Sequence, residues 1–238
     1  MSTIKDIIKF KIAPKKLYQY FSSKNKYNRA YKKGEVELRL LPFLADPNKT
    51  AIDIGANNGL YTYFLAKNCK DVKAFEPHEI LYKFLVKASP ENVTVINKGL
   101  SDITTTADFH IPVINGKEHF NISSFEPKMV KQHKTIIRKI DIVPLDSYEY
   151  QNVGFIKIDV EGHEINVLKG AAQTIEQSRP VVQIEILADQ YEVSEHEVVC
   201  FLRDKGYQML CLQDNLLRIF RPSDTHKSSR NFIFLPVS

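Results

Sequence analysis

The chain has 238 residues, 43% of them hydrophobic and 26% charged, with a net charge of +5 and three cysteines. That length and balance suit one substantial α/β domain and exclude a disordered or low-complexity chain. No apolar run approaches the roughly 20 residues of a membrane span, and the scattered Cys69, Cys200 and Cys211 make neither a zinc-type pair nor a disulfide framework.

Basic charge is concentrated ahead of the first strand in Lys5, Lys9, Lys11, Lys15, Lys16, Lys24, Lys26, Arg29, Lys32 and Lys33, interleaved with Phe10, Tyr18, Tyr20, Phe21, Tyr27 and Tyr31. Residues 1–48 read as a basic helical cap with a solvated face. A nucleic-acid surface is the less favoured reading; steering of a phosphate-bearing substrate, or contact with an anionic membrane surface, is a third. The interspersed lysines leave no continuous apolar segment ahead of a cleavage site, so the expected location is the cytoplasm, with a peripheral position at a membrane surface as the alternative.

From residue 50 onward, strand and helix patterns alternate. Strands are predicted near 50–54, 72–75, 93–97, 153–158, 181–187, 207–212 and 231–236, and helices near 60–68, 79–88, 162–177 and 194–205. This alternation predicts a mostly parallel sheet covered on both faces. Residues 101–145, including DFHIPV and KTIIRKIDIV, read as short strands and loops inserted on the rim where ligands of such sheets bind.

The first strand, TAIDI, runs into Gly55-Ala56-Asn57-Asn58-Gly59 before the helix LYTYFLAKN. Glycine there permits positive φ and leaves backbone bare for a ligand. A dinucleotide fingerprint, G-x-G-x-x-G, would need glycine at Asn57 and Leu60, so a pyrophosphate ligand is disfavoured. What remains, D-x-G-x-N-x-G, resembles the first motif of class I S-adenosylmethionine methyltransferases. The carboxylate of Asp53 and the N–H groups of Gly55, Ala56, Asn57 and Gly59 suit the charged methionine end of that ligand. Glu76, ending the second strand in FEP, can accept from both ribose hydroxyls; it supports a ribose without distinguishing the cofactor.

The strand VGFIKI delivers Asp159-Val160-Glu161-Gly162-His163-Glu164 to the same rim. Glu185 lies in the strand VVQIEIL, where an acid must be paired, hydrogen-bonded or functional. Methyl transfer to oxygen needs alignment and removal of a proton from a poorly acidic hydroxyl, and His163, Asp159 or Glu161 suits that base. The weaker alternative has Asp159 with Glu185 holding magnesium or calcium.

The succession IDIGANNGLYTYFLA, AFEP, LDSY, FIKIDVEGHEINVLKGA and RPVVQIEI, over residues 49–188, resembles the FkbM-type methyltransferase family, with Asp159 to Gly170 as its most specific segment. The resemblance implies a three-layer, Rossmann-like class I methyltransferase fold. Its seven-stranded, mostly parallel sheet would have an antiparallel edge, and residues 49–238 would form the methyltransferase domain. It implies S-adenosylmethionine as cofactor, with a divalent metal not favoured, and O-methylation of a sugar, glycan or related small molecule, including phosphate- or lipid-linked acceptors. The site so assigned comprises Asp159, Glu161, His163 and Glu185 for chemistry. For the cofactor it comprises Asp53, Gly55, Ala56, Asn57, Gly59, Glu76 and Asp159, with Ser101 or Asp102 at the adenine. The segment His119-Phe120-Asn121-Ile122-Ser123-Ser124-Phe125 corresponds to the family's serine-rich insertion beside the acceptor, with His119 read as a solvated loop histidine ahead of the alternative that it orients a hydroxyl. RNA or protein methylation, a cofactor-binding module without turnover, and a dehydrogenase are the competing readings.

Overall fold

β1 (Thr50–Ile54) is buried throughout except at its first residue because it runs through the middle of the sheet, between parallel neighbours β2 (Asp71–Phe75) and β8 (Val153–Ile158). The computed structural model describes residues 35–186, 196–213, 216–221 and 231–237. The eight-stranded sheet has the order β11-β10-β12-β9-β8-β1-β2-β3. Its remaining members are β3 (Val93–Ile96), β9 (Val181–Glu185), β10 (Tyr207–Gln213), β11 (Leu216–Ile219) and β12 (Asn231–Pro236).

Side-chain alternation divides the sheet into two faces. Ile52, Ile54, Ile156, Ile158, Val182 and Ile184 pack into one apolar cluster, together with Val167, Leu168, Ile175 and Leu202 from helices. Ala51, Val72 and Phe155 face the other way, against Leu38, Leu41, Tyr61, Phe64 and Leu65. Helices therefore cover both faces. α1 (Leu41–Leu44) and α2 (Leu60–Asn68) lie on the second face, and α5 (Glu164–Gly170), α6 (Ala172–Ser178) and α7 (Glu197–Asp204) on the first. The hydrophobic face of α3 (Glu79–Ala88) buries Leu81 and Leu85.

Three expectations change. The sheet has eight strands instead of seven, and the antiparallel strand is not confined to the edge: β12 lies inside, antiparallel to both β9 and β10. The added strand, β11, is four residues long and mostly exposed, so it carries no alternation for the sequence to announce. The insertion is more regular than short strands and loops. It builds a separate sheet, β4-β7-β5-β6, from β4 (Gly99–Leu100), β5 (Thr105–Ile114), β6 (Lys117–Glu118) and β7 (Lys134–Val143), with a short helix α4 (Pro127–Val130) between β6 and β7. The single helix predicted over 162–177 breaks at Ala171, where φ is −111° and ψ 10°. Close packing keeps the first half in place: a Cβ on Gly170 would lie 1.9 Å from the carbonyl oxygen of Ser101. Of the predicted cap, residues 1–34 lie outside the described residues; Val36–Leu40 form a 3-10 turn leading into α1.

Glycine matters most at Gly55. Its φ is +79°, and a Cβ there would sit 1.9 Å from the carbonyl oxygen of Asp159, so the turn after β1 and the end of β8 touch through bare backbone. Gly116 has a similar φ, +71°, with nothing within 4 Å of its Cβ position. Gly116→Ala should therefore cost only the conformational term, about 1 kcal/mol, whereas Gly55→Ala should cost more than about 3 kcal/mol because backbone must also move. Urea denaturation of the two variants measures the difference.

Candidate active site

Two adjoining clefts open at the C-terminal ends of β1, β2, β8 and β9, the rim on which open α/β sheets hold ligands. The first, about 570 Å³, is walled by Phe75, Leu100, Phe109, Phe120 and Phe125, with Glu76 at its polar side. The second, about 760 Å³, is strongly polar, lined by Glu35, Asp53, Lys157, Asp159, Glu161 and Glu185. Gly55, Asn57, Asp159 and Glu161 line both, so the clefts form one continuous groove of small-molecule size.

Glu76 is 4% exposed and accepts hydrogen bonds from the backbone N–H of Asn57 at 2.6 Å and of His78 at 2.8 Å. Burial pushes its pKa to about 7 against these two bonds, which lower it. Each oxygen keeps a further lone pair for a ligand hydroxyl. Asn57 follows β1 with φ +50°, a conformation Asn tolerates better than most residues. The glycines serve packing more than ligand access. Gly55 meets the Asp159 carbonyl, and a Cβ on Gly59 would lie 2.6 Å from Leu85 Cδ2. Asp53 is 1% exposed, accepts from the Thr62 hydroxyl at 2.5 Å, and is raised by burial to about 6.

At the ends of β8 and β9, Glu185 and Asp159 interact side chain to side chain. Burial, then the charge of Asp159, raises Glu185 to about 7. Beneath them stands Lys157, 1% exposed, whose Nζ lies 3.4 Å from Asp159 Oδ2, 3.3 Å from the Ile158 carbonyl oxygen and 3.2 Å from Asn231 Oδ1. The same ammonium is 5.0 Å from the centre of the Tyr61 ring. Sequence reasoning passed over Lys157, although a charge within the apolar VGFIKI is the same signal that singled out Glu185. Glu35, also raised by burial, was missed because it precedes the first recognisable element.

The structure brings Asp53, Gly55, Ala56, Asn57, Glu76, Asp159, Glu161 and Glu185 together on the groove. It does not bring His163 there. That ring is 6% exposed and spent on both sides, with Nε2 at 3.0 Å from Ser101 Oγ and Nδ1 at 2.9 Å from Glu126 Oε1. Ser101 is buried in that contact and Asp102 is exposed beside it, so Lys98, Gly99 and Leu100 line the groove at the place expected for Ser101 or Asp102. Gly59 caps α2, and His119 precedes Phe120, the residue of that segment that enters the wall.

The arrangement is open to comparison with known proteins, and the profile of the methyltransferase FkbM domain matches residues 53–209, well over half of the chain. The chain belongs to the methyltransferase FkbM domain family. This FkbM domain is 29% identical over 160 residues to the hexuronic acid methyltransferase AglP of Haloferax volcanii, a span of 66% of this chain and 64% of that relative. Among solved structures, a methyltransferase FkbM from Methylobacillus flagellatus KT aligns over 80% of this chain and 44% of its own, with 21% identity and a TM-score of 0.49. An O-methyltransferase from Thermotoga maritima aligns over 86% of this chain and 66% of its own, at 12% identity and a TM-score of 0.46. No described helix of the FkbM domain is long and apolar enough to cross a membrane.

Two donor sets can be tested against ligands. An aromatic slot with a buried carboxylate at its edge, continuing into a polar cleft, fits a nucleoside joined to a charged chain. The Asp159–Glu185 pair does not fit a divalent cation, since a buried ammonium already stands against Asp159. Among the described residues no three His, Cys, Asp or Glu side chains converge in a metal-binding group.

The buried acids set the pH dependence of stability. Glu76 rises from 4.5 to about 7 and Asp53 from 3.8 to about 6, so the folded state holds these protons more tightly than the unfolded chain. Their stabilisation is complete below the unfolded values and is lost as pH rises through 6 and 7. Thermal melts should show Tm falling between pH 5 and pH 8, and Glu76→Gln should flatten that slope. Lys157→Met leaves the facing carboxylates without their buried cation and should destabilise the fold by roughly 3–5 kcal/mol in urea unfolding at neutral pH.

Proposed function

We propose that this FkbM domain is an S-adenosylmethionine-dependent O-methyltransferase whose acceptor is a hydroxyl of a sugar, glycan or related metabolite. The observation that carries the reading is the carboxylate pair, Asp159 with Glu185, held over Lys157 at one end of a groove whose other end is an aromatic slot edged by Glu76. Family membership supports methyl transfer, and the name of the AglP relative, a hexuronic acid methyltransferase, supports a sugar acceptor.

In this reading the aromatic slot takes the adenine, Glu76 the ribose hydroxyls, and Asp53 with the backbone of Gly55 to Asn57 the methionine end. When bound, S-adenosylmethionine supplies an activated methyl: the O–C bond forms as the C–S bond breaks, and the electron pair goes to sulfur. Glu185, poised near neutrality by burial and by Asp159, takes the proton of the acceptor hydroxyl. Asp159, 3.4 Å from the Lys157 Nζ, orients that hydroxyl. Glu161, shared by both clefts, contacts the acceptor at their junction. Alignment of donor and acceptor, in a groove walled by phenylalanines, supplies the remaining rate.

Calorimetric titration with S-adenosylhomocysteine should show one-site binding to the folded protein; absence of binding sinks the cofactor assignment. Glu76→Ala should weaken that binding about tenfold or more. With labelled methyl donor and a panel of hydroxylated sugars, neutral and uronic, Glu185→Gln should lower kcat by roughly 10²–10⁴ with little change in S-adenosylhomocysteine affinity. In the wild type, kcat/KM should rise through about pH 7 as Glu185 loses its proton. Turnover that survives Glu185→Gln and Asp159→Asn removes both from the chemistry, and turnover abolished by a chelator restores the metal alternative.

A further inference from the structure

The turn Asp159-Val160-Glu161-Gly162 has an unusual backbone. Glu161 has φ +52° and Gly162 +98°, and only the second is a residue for which that region is easy. Left-handed glutamate persists only where surrounding structure holds it. One restraint is local, the Gly162 N–H donating to Glu164 Oε1 at 2.9 Å, and the others come from the inserted sheet. Ser124, 0% exposed, donates its hydroxyl to the Glu161 carbonyl oxygen at 2.6 Å, and the same Oγ accepts from the Glu126 backbone N–H at 2.9 Å.

Ser124 is itself fixed to β5 by two backbone hydrogen bonds with His110, at 2.9 and 3.1 Å. Around this point the insertion grips the turn twice more. Glu126 reaches His163 Nδ1 at 2.9 Å, and Met129 lies where a Cβ on Gly162 would meet its Cγ at 2.9 Å. The residue so held, Glu161, lines both clefts.

We propose that Ser124 is a positioning residue for methyl transfer: its hydroxyl, delivered by the inserted sheet, holds Glu161 in the left-handed conformation that places this glutamate at the junction of the two clefts. The inference rests on the methyltransferase reading above and adds a role for the insertion that does not require it to touch the ligand. Removing the hydroxyl leaves the Glu161 carbonyl and the Glu126 N–H, both half-buried, without their shared partner, and frees Glu161 to relax toward ordinary φ. His163 and Glu126 then act as a second tether on the same turn.

The test is a double-mutant cycle of Ser124→Ala with Glu161→Gln, read as kcat, KM and S-adenosylhomocysteine affinity. Ser124→Ala should lower kcat about tenfold while leaving S-adenosylhomocysteine affinity within about twofold, and should add little to the loss already present in Glu161→Gln. A full additive loss, or none, overturns the proposal. Amide hydrogen exchange at Gly162 and His163 gives a readout independent of turnover: faster exchange in Ser124→Ala is expected, and unchanged exchange also overturns it. A wild type without methyl transfer would refute the functional reading, with the exchange comparison still deciding the role of Ser124. Should Ser124→Ala fail to fold, Ser124→Cys, whose thiol is a weaker donor, gives the same comparison with smaller effects.

Discussion

The constraint on which this structure depends is a row of buried polar side chains across its three central strands. Asp53 on β1 is in register with Lys157 on β8, and Lys157 with Gln183 on β9, so alternation places all three on one face of the sheet. All three are 1% exposed or less. An acid, an ammonium and an amide in that position are costly and are largely answered: Asp53 by Thr62, Lys157 by Asp159 and Asn231, and the Gln183 Nε2 by the Tyr61 hydroxyl, while Gln183 Oε1 is buried without a hydrogen-bond partner among the described residues. The helix α2 supplies two of those partners, and so its register over the sheet is fixed by polar chemistry as well as by packing.

The same row shapes the charge at the rim. Lys157 is a buried cation beneath a group of acids, 3.4 Å from Asp159, and burial with the charge of Asp159 raises Glu185 to about 7. The Glu185 shift depends on burial, since on an exposed strand end solvent would screen the pair. Backbone geometry then brings the groups to one place. The carbonyl of Asp159 rests on Gly55, so the turn after β1 and the turn after β8 are joined at the point where both clefts meet.

Much of the α/β framework is legible in the chain. β1, β8, α2 and α3 have the bounds read from the sequence: β1 and β8 are short apolar runs buried on both faces, α2 follows the glycine turn, and α3 buries Leu81, Leu85 and Ala88 at helical spacing. The inserted sheet and β11 are less so. β5 and β7 alternate in exposure only partly, since β5 is buried at Phe109, Ile111 and Pro112 in its middle and β7 only at Ile142 and Val143 at its end. His163 illustrates the limit at the site. Its place in DVEGHE suggests a base, but the chain cannot say that Ser101 and Glu126, 62 and 37 residues away, occupy both ring nitrogens.

By itself the sequence determined the alternation of strands and helices, the glycine turn, and the acids at the strand ends, because these follow from local periodicity and from residue types within one segment. Tertiary structure alone decided which polar groups face the groove and which are consumed elsewhere. It made Lys157 a partner of Asp159, turned the Gly55 position toward the Asp159 carbonyl, withdrew His163 and Ser101 from the cleft, and set Ser124 against Glu161. Apart from the Lys157–Asp159 pair, those outcomes depend on contacts between residues far apart in the chain, where burial and pairing, rather than residue identity, fix direction.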